Sequence, residues 1–195
     1  MNLIYLNFIK PIGDMVFSFL FIVFFGWLFL LIALVYMVTW QFPVFFFQPR
    51  LGREGVTFQM IKFRTLSTNQ SQPMQQRTFW LGTVLRKTSL DEIPQVINIL
   101  KGQMSWIGPR PLPIEYDTLF TKEQRIRFEV KPGITGWAQV NGRHSINWKK
   151  KFELDTHYVN HCSLKLDLLI FFKTLFLLLS LKKDNSLLEE KFTGN

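Results

Sequence analysis

The sequence predicts an α+β chain, mainly helical, in which one long apolar helix precedes a small polar domain. Three observations carry that reading. Residues 15–48 contain no charged side chain. The chain has a net charge of +9, yet only Lys10 and Asp14 carry side-chain charge before residue 49. After that point, β-prone segments flank one glycine-rich turn, and helical patterns punctuated by Gly and Pro fill most of the remainder.

About 20 apolar residues suffice to cross the hydrocarbon core of a bilayer, and residues 15–40 exceed that length. Residues 1–42 are therefore assigned to a membrane anchor. It begins after Lys10, Pro11 and Asp14 and ends among Trp40, Phe42 and Pro43, where aromatic rings suit the membrane interface. A signal peptide is disfavoured, because the apolar run is too long and no small-residue cleavage site follows it. Arg50, Arg53, Lys62 and Arg64 place the following part in the cytoplasm by the positive-inside bias. Gly26 stands near the middle of the run and proline is absent there, so a spanning helix and one that dips in and returns are both open.

Residues 43–185 are the size of one ordinary domain, with 186–195 as a C-terminal tail. Segments 44–48 and 56–63, joined by Leu51-Gly52-Arg53-Glu54-Gly55, predict a β-hairpin. Polar residues 65–77 predict a mobile loop. Helical patterns follow at 79–86 and around 91–100, then a Gly/Pro-rich stretch at 102–113. Residues 121–129 read as helix, 131–143 as loop and short strand, and 146–160 as helix. The last apolar run, 164–181, is interrupted by Lys165, Asp167 and Lys173, so it packs on the domain or lies in the interface instead of spanning.

Chemistry is densest at Thr88-Ser89-Leu90-Asp91-Glu92-Ile93-Pro94-Gln95. Ser89 and Glu92 fit a capping box, and acidic residues suit a first helical turn. Pro94 argues against that cap, since its missing N–H would have to bond Leu90. A helix starting at Asp91 fits better, and would put Pro94 where a capping carboxylate seeks an N–H, leaving Asp91 able to react. Cations to meet the carboxylates are Lys62, Arg64, Arg86, Lys87 and Arg110, the last between Pro109 and Pro111. Arginine suits phosphate because its fork donates two parallel hydrogen bonds.

Residues 131–143 hold three glycines that could let backbone N–H groups approach a phosphate, and Trp137 offers a stacking surface. The stretch has neither the Rossmann nor the P-loop form. His157 and His161 are four apart without an evident third metal ligand, and read as surface or packing residues. The single cysteine, Cys162, excludes an internal disulfide and reads as an apolar filler.

Six motifs in order resemble the bacterial sugar transferases, and the chain length resembles their small monotopic phosphoglycosyl transferases. They are Lys10…Asp14, Gln48-Pro-Arg50-x-Gly52-x-x-Gly55, Lys62-Phe-Arg64-Thr65, Arg86-x-x-Ser89-Leu-Asp91-Glu92-x-Pro94-Gln95, Gly108-Pro-Arg110-Pro111 and Pro132-Gly-Ile-Thr-Gly-Trp-Ala-Gln-Val-Asn-Gly-Arg143. The resemblance implies transfer of a sugar 1-phosphate from a UDP-sugar to undecaprenyl phosphate by double displacement. By the same resemblance Asp91 is the nucleophile, Glu92 holds Mg²⁺, and Lys62, Arg64, Arg86, Arg110 and Arg143 contact phosphate or donor. It also implies a re-entrant anchor helix in the bacterial inner membrane with the catalytic domain on the cytoplasmic face. Family members commonly break that helix with Ser-Pro; here Gly26-Trp27 stands in the matching place, and glycine weakens a helix far less than proline.

The competing reading is a non-catalytic, membrane-tethered basic module that binds anionic lipid or nucleic acid. Against nucleic acid, the basic residues are interleaved with Gly, Pro and paired carboxylates and form no basic stripe. The transferred sugar is not legible, and monomer and homodimer both fit the sequence.

Overall fold

A computed structural model describes residues 3–67, 71, 77–142, 145–180 and 191–194. Most of the polar 65–77 loop, Arg143 and most of the 186–195 tail lie outside the described residues.

The anchor begins earlier than its uncharged run suggests. A π-helical turn, Tyr5–Ile9, leads into α1, Lys10–Val38, and together they form 34 apolar-rich residues. At 1.5 Å per residue this is about 51 Å, against a hydrocarbon core of about 30 Å. Pro11 sits in the first turn of α1, where its missing N–H costs nothing. Helical structure continues through Gly26 and Trp27.

Both ends of this helix dock on the same domain. Near its start, Tyr5 Oη and Lys10 Nζ donate to Asp167 Oδ2 at 2.6 and 2.5 Å, and Tyr158 Oη donates to Oδ1 at 2.7 Å. One turn further, Asp14 Oδ1 accepts from Trp106 N, and Ser18 Oγ accepts from Trp106 Nε1 at 2.9 Å. Near its end, Phe29 packs on Phe45 and Phe63, and Tyr36 Oη donates to the Arg64 carbonyl. Between these points most of the helix is exposed and apolar, including Phe19, Val23, Phe24, Trp27 and Leu30.

The hairpin forms as expected, with a longer first strand: β1, Phe45–Leu51, pairs antiparallel with β2, Thr57–Phe63, from Phe45↔Phe63 to Leu51↔Thr57. A 3-10 turn, Arg53–Gly55, joins them. Four further helices follow α2, Trp80–Thr88: α3, Gln95–Leu100; α4, Trp137–Val140; α5, Trp148–His161; and α6, Leu164–Leu179. The helix expected at 121–129 is a 3-10 segment, Gln124–Glu129.

A small parallel sheet, unforeseen as such, joins β3, Ser105–Ile107, to β4, Gly133–Thr135. Gly133 in the 131–143 stretch has a different use from the phosphate cradle considered for it. A side chain on Gly133 would overlap the backbone of Gly108, and the Gly133 N–H is bonded to the Pro109 carbonyl at 3.0 Å. Close crossing of two backbone segments is what requires glycine there.

On α6, Asp167 and Ile170 are buried, while Leu168, Leu169, Phe172, Phe176 and Leu179 are exposed. The run therefore packs one face on the domain and leaves an apolar face outward, as expected of a segment that does not span. Cys162 is free, buried and packed beside Tyr158.

Candidate active site

Helix α2 stops because Ser89 adopts a left-handed conformation, φ 57°. For a residue other than glycine that costs about 1–2 kcal/mol, and it reverses the chain into the 3-10 turn Leu90–Glu92. Pro94 then precedes α3 in a helical conformation. Neither the Ser89 capping box nor a helix capped by Asp91 is present. Ser89 is turned out of the cap position by its positive φ, and Pro94 stands at the start of α3, where no N–H is needed. Asp91 and Glu92 thus project from a short turn; Asp91 is 9% exposed.

Lys62, from β2, donates to Glu92 Oε1 at 2.5 Å. Arg110 Nη1 lies 3.8 Å from the same oxygen. Burial would raise the Glu92 pKa, but Lys62, then Arg110 and Arg50, outweigh it and hold the carboxyl below its ordinary value. Glu92 is therefore a charged group at neutral pH. Its Oε2 makes no hydrogen bond among the described residues. Among the described residues no cluster of three His, Cys, Asp or Glu could hold a metal alone, so Asp91 and Glu92 would hold Mg²⁺ only together with other oxygen donors. That ion keeps waters and is commonly completed by substrate phosphates instead of an all-protein cage.

Around the dyad lies a cavity of about 930 Å³. Its wall includes Lys62, Arg64, Arg86, Asp91, Glu92 and Arg110, so all the candidate residues except the undescribed Arg143 share one space. They are not equivalent in it. Arg64 spends Nε and Nη1 on the carbonyls of Pro43 and Leu66, at 2.8 and 2.9 Å, and lies 5.3 Å from the Phe79 ring. Arg86 Nε donates to Thr65 Oγ1 at 2.7 Å. These two stitch the end of β2 to the anchor's exit and to α2, whereas Lys62 and Arg110 face Glu92 directly.

The anchor helix contributes Phe21, Phe25 and Leu28 to the same cavity, and α6 contributes Leu177 and Leu178. A second region is aromatic and polar, with Trp148, Phe152, Arg127 and Asp155. Arg127 Nη2 bridges Asp155 Oδ2 at 2.9 Å and the Arg110 carbonyl at 2.7 Å, amid Phe120, Phe128 and Phe152. Burial raises Asp155 to about 6, against the pull of Arg127.

Sequence reasoning missed three contributors. The Arg127–Asp155 pair spans 28 positions and two separate elements, so no local pattern could announce it. Arg50 had a signal, the one charged residue in its strand, but was read only as part of a motif and of the positive-inside bias. His157 and His161 stack at 4.3 Å, with His157 beside Trp137, and match the packing reading.

Comparison with known proteins bears on the chain's family. Residues 5–181 match the family model described as bacterial sugar transferase. The sugar transferase EpsL of Bacillus subtilis (strain 168) is 46% identical over 161 residues, covering 78% of this chain and 80% of that protein. The UDP-glucose:undecaprenyl-phosphate glucose-1-phosphate transferase of Escherichia coli (strain K12) is 36% identical over 160 residues, covering 74% of this chain but 34% of that protein. The UDP-N-acetylgalactosamine-undecaprenyl-phosphate N-acetylgalactosaminephosphotransferase of Aeromonas hydrophila is 40% identical over 146 residues, 68% of this chain and 34% of that protein.

Proposed function

Because the chain belongs to the bacterial sugar transferase family, we propose that it moves a sugar 1-phosphate from a UDP-sugar to undecaprenyl phosphate, yielding UMP and an undecaprenyl-diphosphate sugar. One observation carries the reading: a paired carboxylate, ringed by cations, faces a cavity whose wall includes the membrane helix. Chemistry between a water-soluble donor and a bilayer-bound acceptor needs such a space. The family shows a transferase, and two relatives are named for undecaprenyl-phosphate acceptors and UDP-sugar donors.

Asp91 is the nucleophile. A carboxylate in its ionised form attacks without a general base. One Asp91 carboxylate oxygen bonds the sugar-bearing phosphorus as the bond from that phosphorus to the bridging oxygen breaks. The electron pair leaves on that oxygen as part of UMP. A phosphate oxygen of the lipid then attacks the same phosphorus and releases Asp91. Lys62 and Arg110 hold Glu92 ionised and offset the repulsion between an anionic nucleophile and an anionic donor. Bound through Glu92 Oε2, Mg²⁺ would supply further charge neutralisation on the phosphate oxygens.

The helix enters and leaves on one face of the inner membrane, with the domain on the cytoplasmic side. Contacts of both its ends with one domain support this. UMP release from UDP-sugars by membranes bearing the wild type and Asp91→Asn tests the function. Release from a panel of donors by the wild type alone is expected; equal release by both would reject Asp91 as nucleophile.

A further inference from the structure

Arg50 is held in the cavity wall without a close counter-charge. Its side chain makes one hydrogen bond among the described residues, from Nη2 to the neutral Gln48 Oε1 at 2.6 Å, and its buried Nε has no partner there. Glu115 and Glu92 act on it only at longer range. The backbone nonetheless ties its strand to the segment that follows Arg110, a second guanidinium in the same cavity wall. Leu51 N donates to the Leu112 carbonyl at 3.0 Å, and Arg50 pairs with Pro113 in an isolated antiparallel bridge. On its other flank the Pro109-Arg110-Pro111 turn is fastened by Arg127 to the Arg110 carbonyl. Burial, then the like charge of Arg110, lowers the Arg50 pKa to about 10. Arg50 and Arg110 line one cavity, and Arg110 Nη1 lies 3.8 Å from Glu92, so an anionic ligand entering there would relieve their like-charge repulsion.

We propose that Arg50 and Arg110 form a clamp for the donor phosphate that departs with the nucleoside. The inference rests on the transferase reading above and adds a residue and a role to it. When the bond to the bridging oxygen breaks, the departing nucleotide phosphate gains a negative charge, and a preorganised guanidinium pair stabilises that charge as it develops. The clamp serves the nucleotide and not the lipid phosphate, on the evidence of where its segments are rooted. Leu51 and Leu112, the neighbours of the two arginines, belong to a cluster with Phe120, Phe128, Phe152 and Phe192, flanked by Tyr116 and Trp148. The anchor helix packs instead into a cluster with Phe63, Leu81 and Leu85. In the cavity wall Leu112, Trp148 and Phe152 come from the first cluster and its flank, where a water-soluble nucleotide fits, whereas Phe21, Phe25 and Leu28 come from the anchor, where a lipid chain fits.

The test uses full-length protein in nanodiscs, carrying Asp91→Asn to block turnover, and titrates UMP and farnesyl phosphate separately. Adding Arg50→Gln should weaken UMP binding about tenfold or more, the scale of a charge-assisted hydrogen bond, and leave farnesyl phosphate unchanged. Arg50→Lys, which keeps the charge and stem without the fork, should fall between. Undiminished UMP binding by both Arg50 variants overturns the clamp but spares the transferase reading. Equal loss of both ligands in both variants overturns the assignment to the nucleotide. Failure of the Asp91→Asn parent to bind UMP removes the transferase reading and the clamp with it.

Discussion

Lys62 and Glu92 face each other at 2.5 Å, linking the second hairpin strand to the turn that carries Asp91. Replacing Lys62 by Met removes the strongest attraction that keeps Glu92 charged. The Glu92 pKa then rises, so its charged form is lost at a higher pH as acidity increases. The acid limb of the kcat/KM profile for UMP release should move upward. At neutral pH, activity should drop about 10- to 100-fold, as for loss of one charge-assisted hydrogen bond. An unmoved acid limb would detach Lys62 from Glu92's titration.

Gly82 marks the closest approach of α2 to the end of β2. A methyl group there would overlap the Thr65 carbonyl, and Thr65 Oγ1 in turn holds Arg86. Gly82→Ala should destabilise the protein by about 1–3 kcal/mol, read as a lowered Tm in detergent, through forced separation of the two segments. Val84→Ala, on the exposed side of the same helix, should have a much smaller effect.

Asp155 gives stability a pH dependence of unusual sign for a carboxylate. Its folded pKa, raised by burial to about 6, lies above the ordinary 3.8. Between those values the native state holds a proton that the unfolded state has lost, so this group's contribution falls as pH rises. Asp155→Asn should flatten that part of a Tm-against-pH curve from pH 4 to 6. The Arg127 contact to the Arg110 carbonyl should survive in the variant, leaving the KM for donor nearly unchanged at pH 7.

The topology can be tested with Asn2→Cys in a Cys162→Ser background. An impermeant thiol reagent added to intact cells should fail to label the protein, and should label it once the inner membrane is opened. Labelling in sealed cells would mean a helix that crosses completely, despite its contacts at both ends.

The anchor, hairpin and carboxylate pair could be read from the chain because each has a local cause. Uninterrupted apolar length, a turn holding Gly52 and Gly55, and adjacent Asp91 and Glu92 are short-range patterns. What escaped depends on distant segments. Lys10 and Asp14 looked like the boundary before the anchor, yet lie inside the helix because Asp167 and Trp106 satisfy them. Residues 10, 14, 18, 21, 25, 29, 32 and 36 fall on one helical stripe, and those with described contacts meet the domain. Lys10, Asp14 and Ser18 open the stripe and apolar, mostly aromatic residues continue it, so a reading based on hydrophobicity alone splits it in two. Ser89's positive φ likewise hid behind a sequence that mimics a capping box.

The docking of the long helix has a practical corollary for anyone seeking a water-soluble version by trimming the first 42 residues. Such a fragment would lose the rings lying against Trp106 and Phe63, strand the Asp167 carboxylate with one tyrosine, and open one side of the reaction chamber. Truncation would delete part of the enzyme's interior, so the anchor is an ingredient of the folded state.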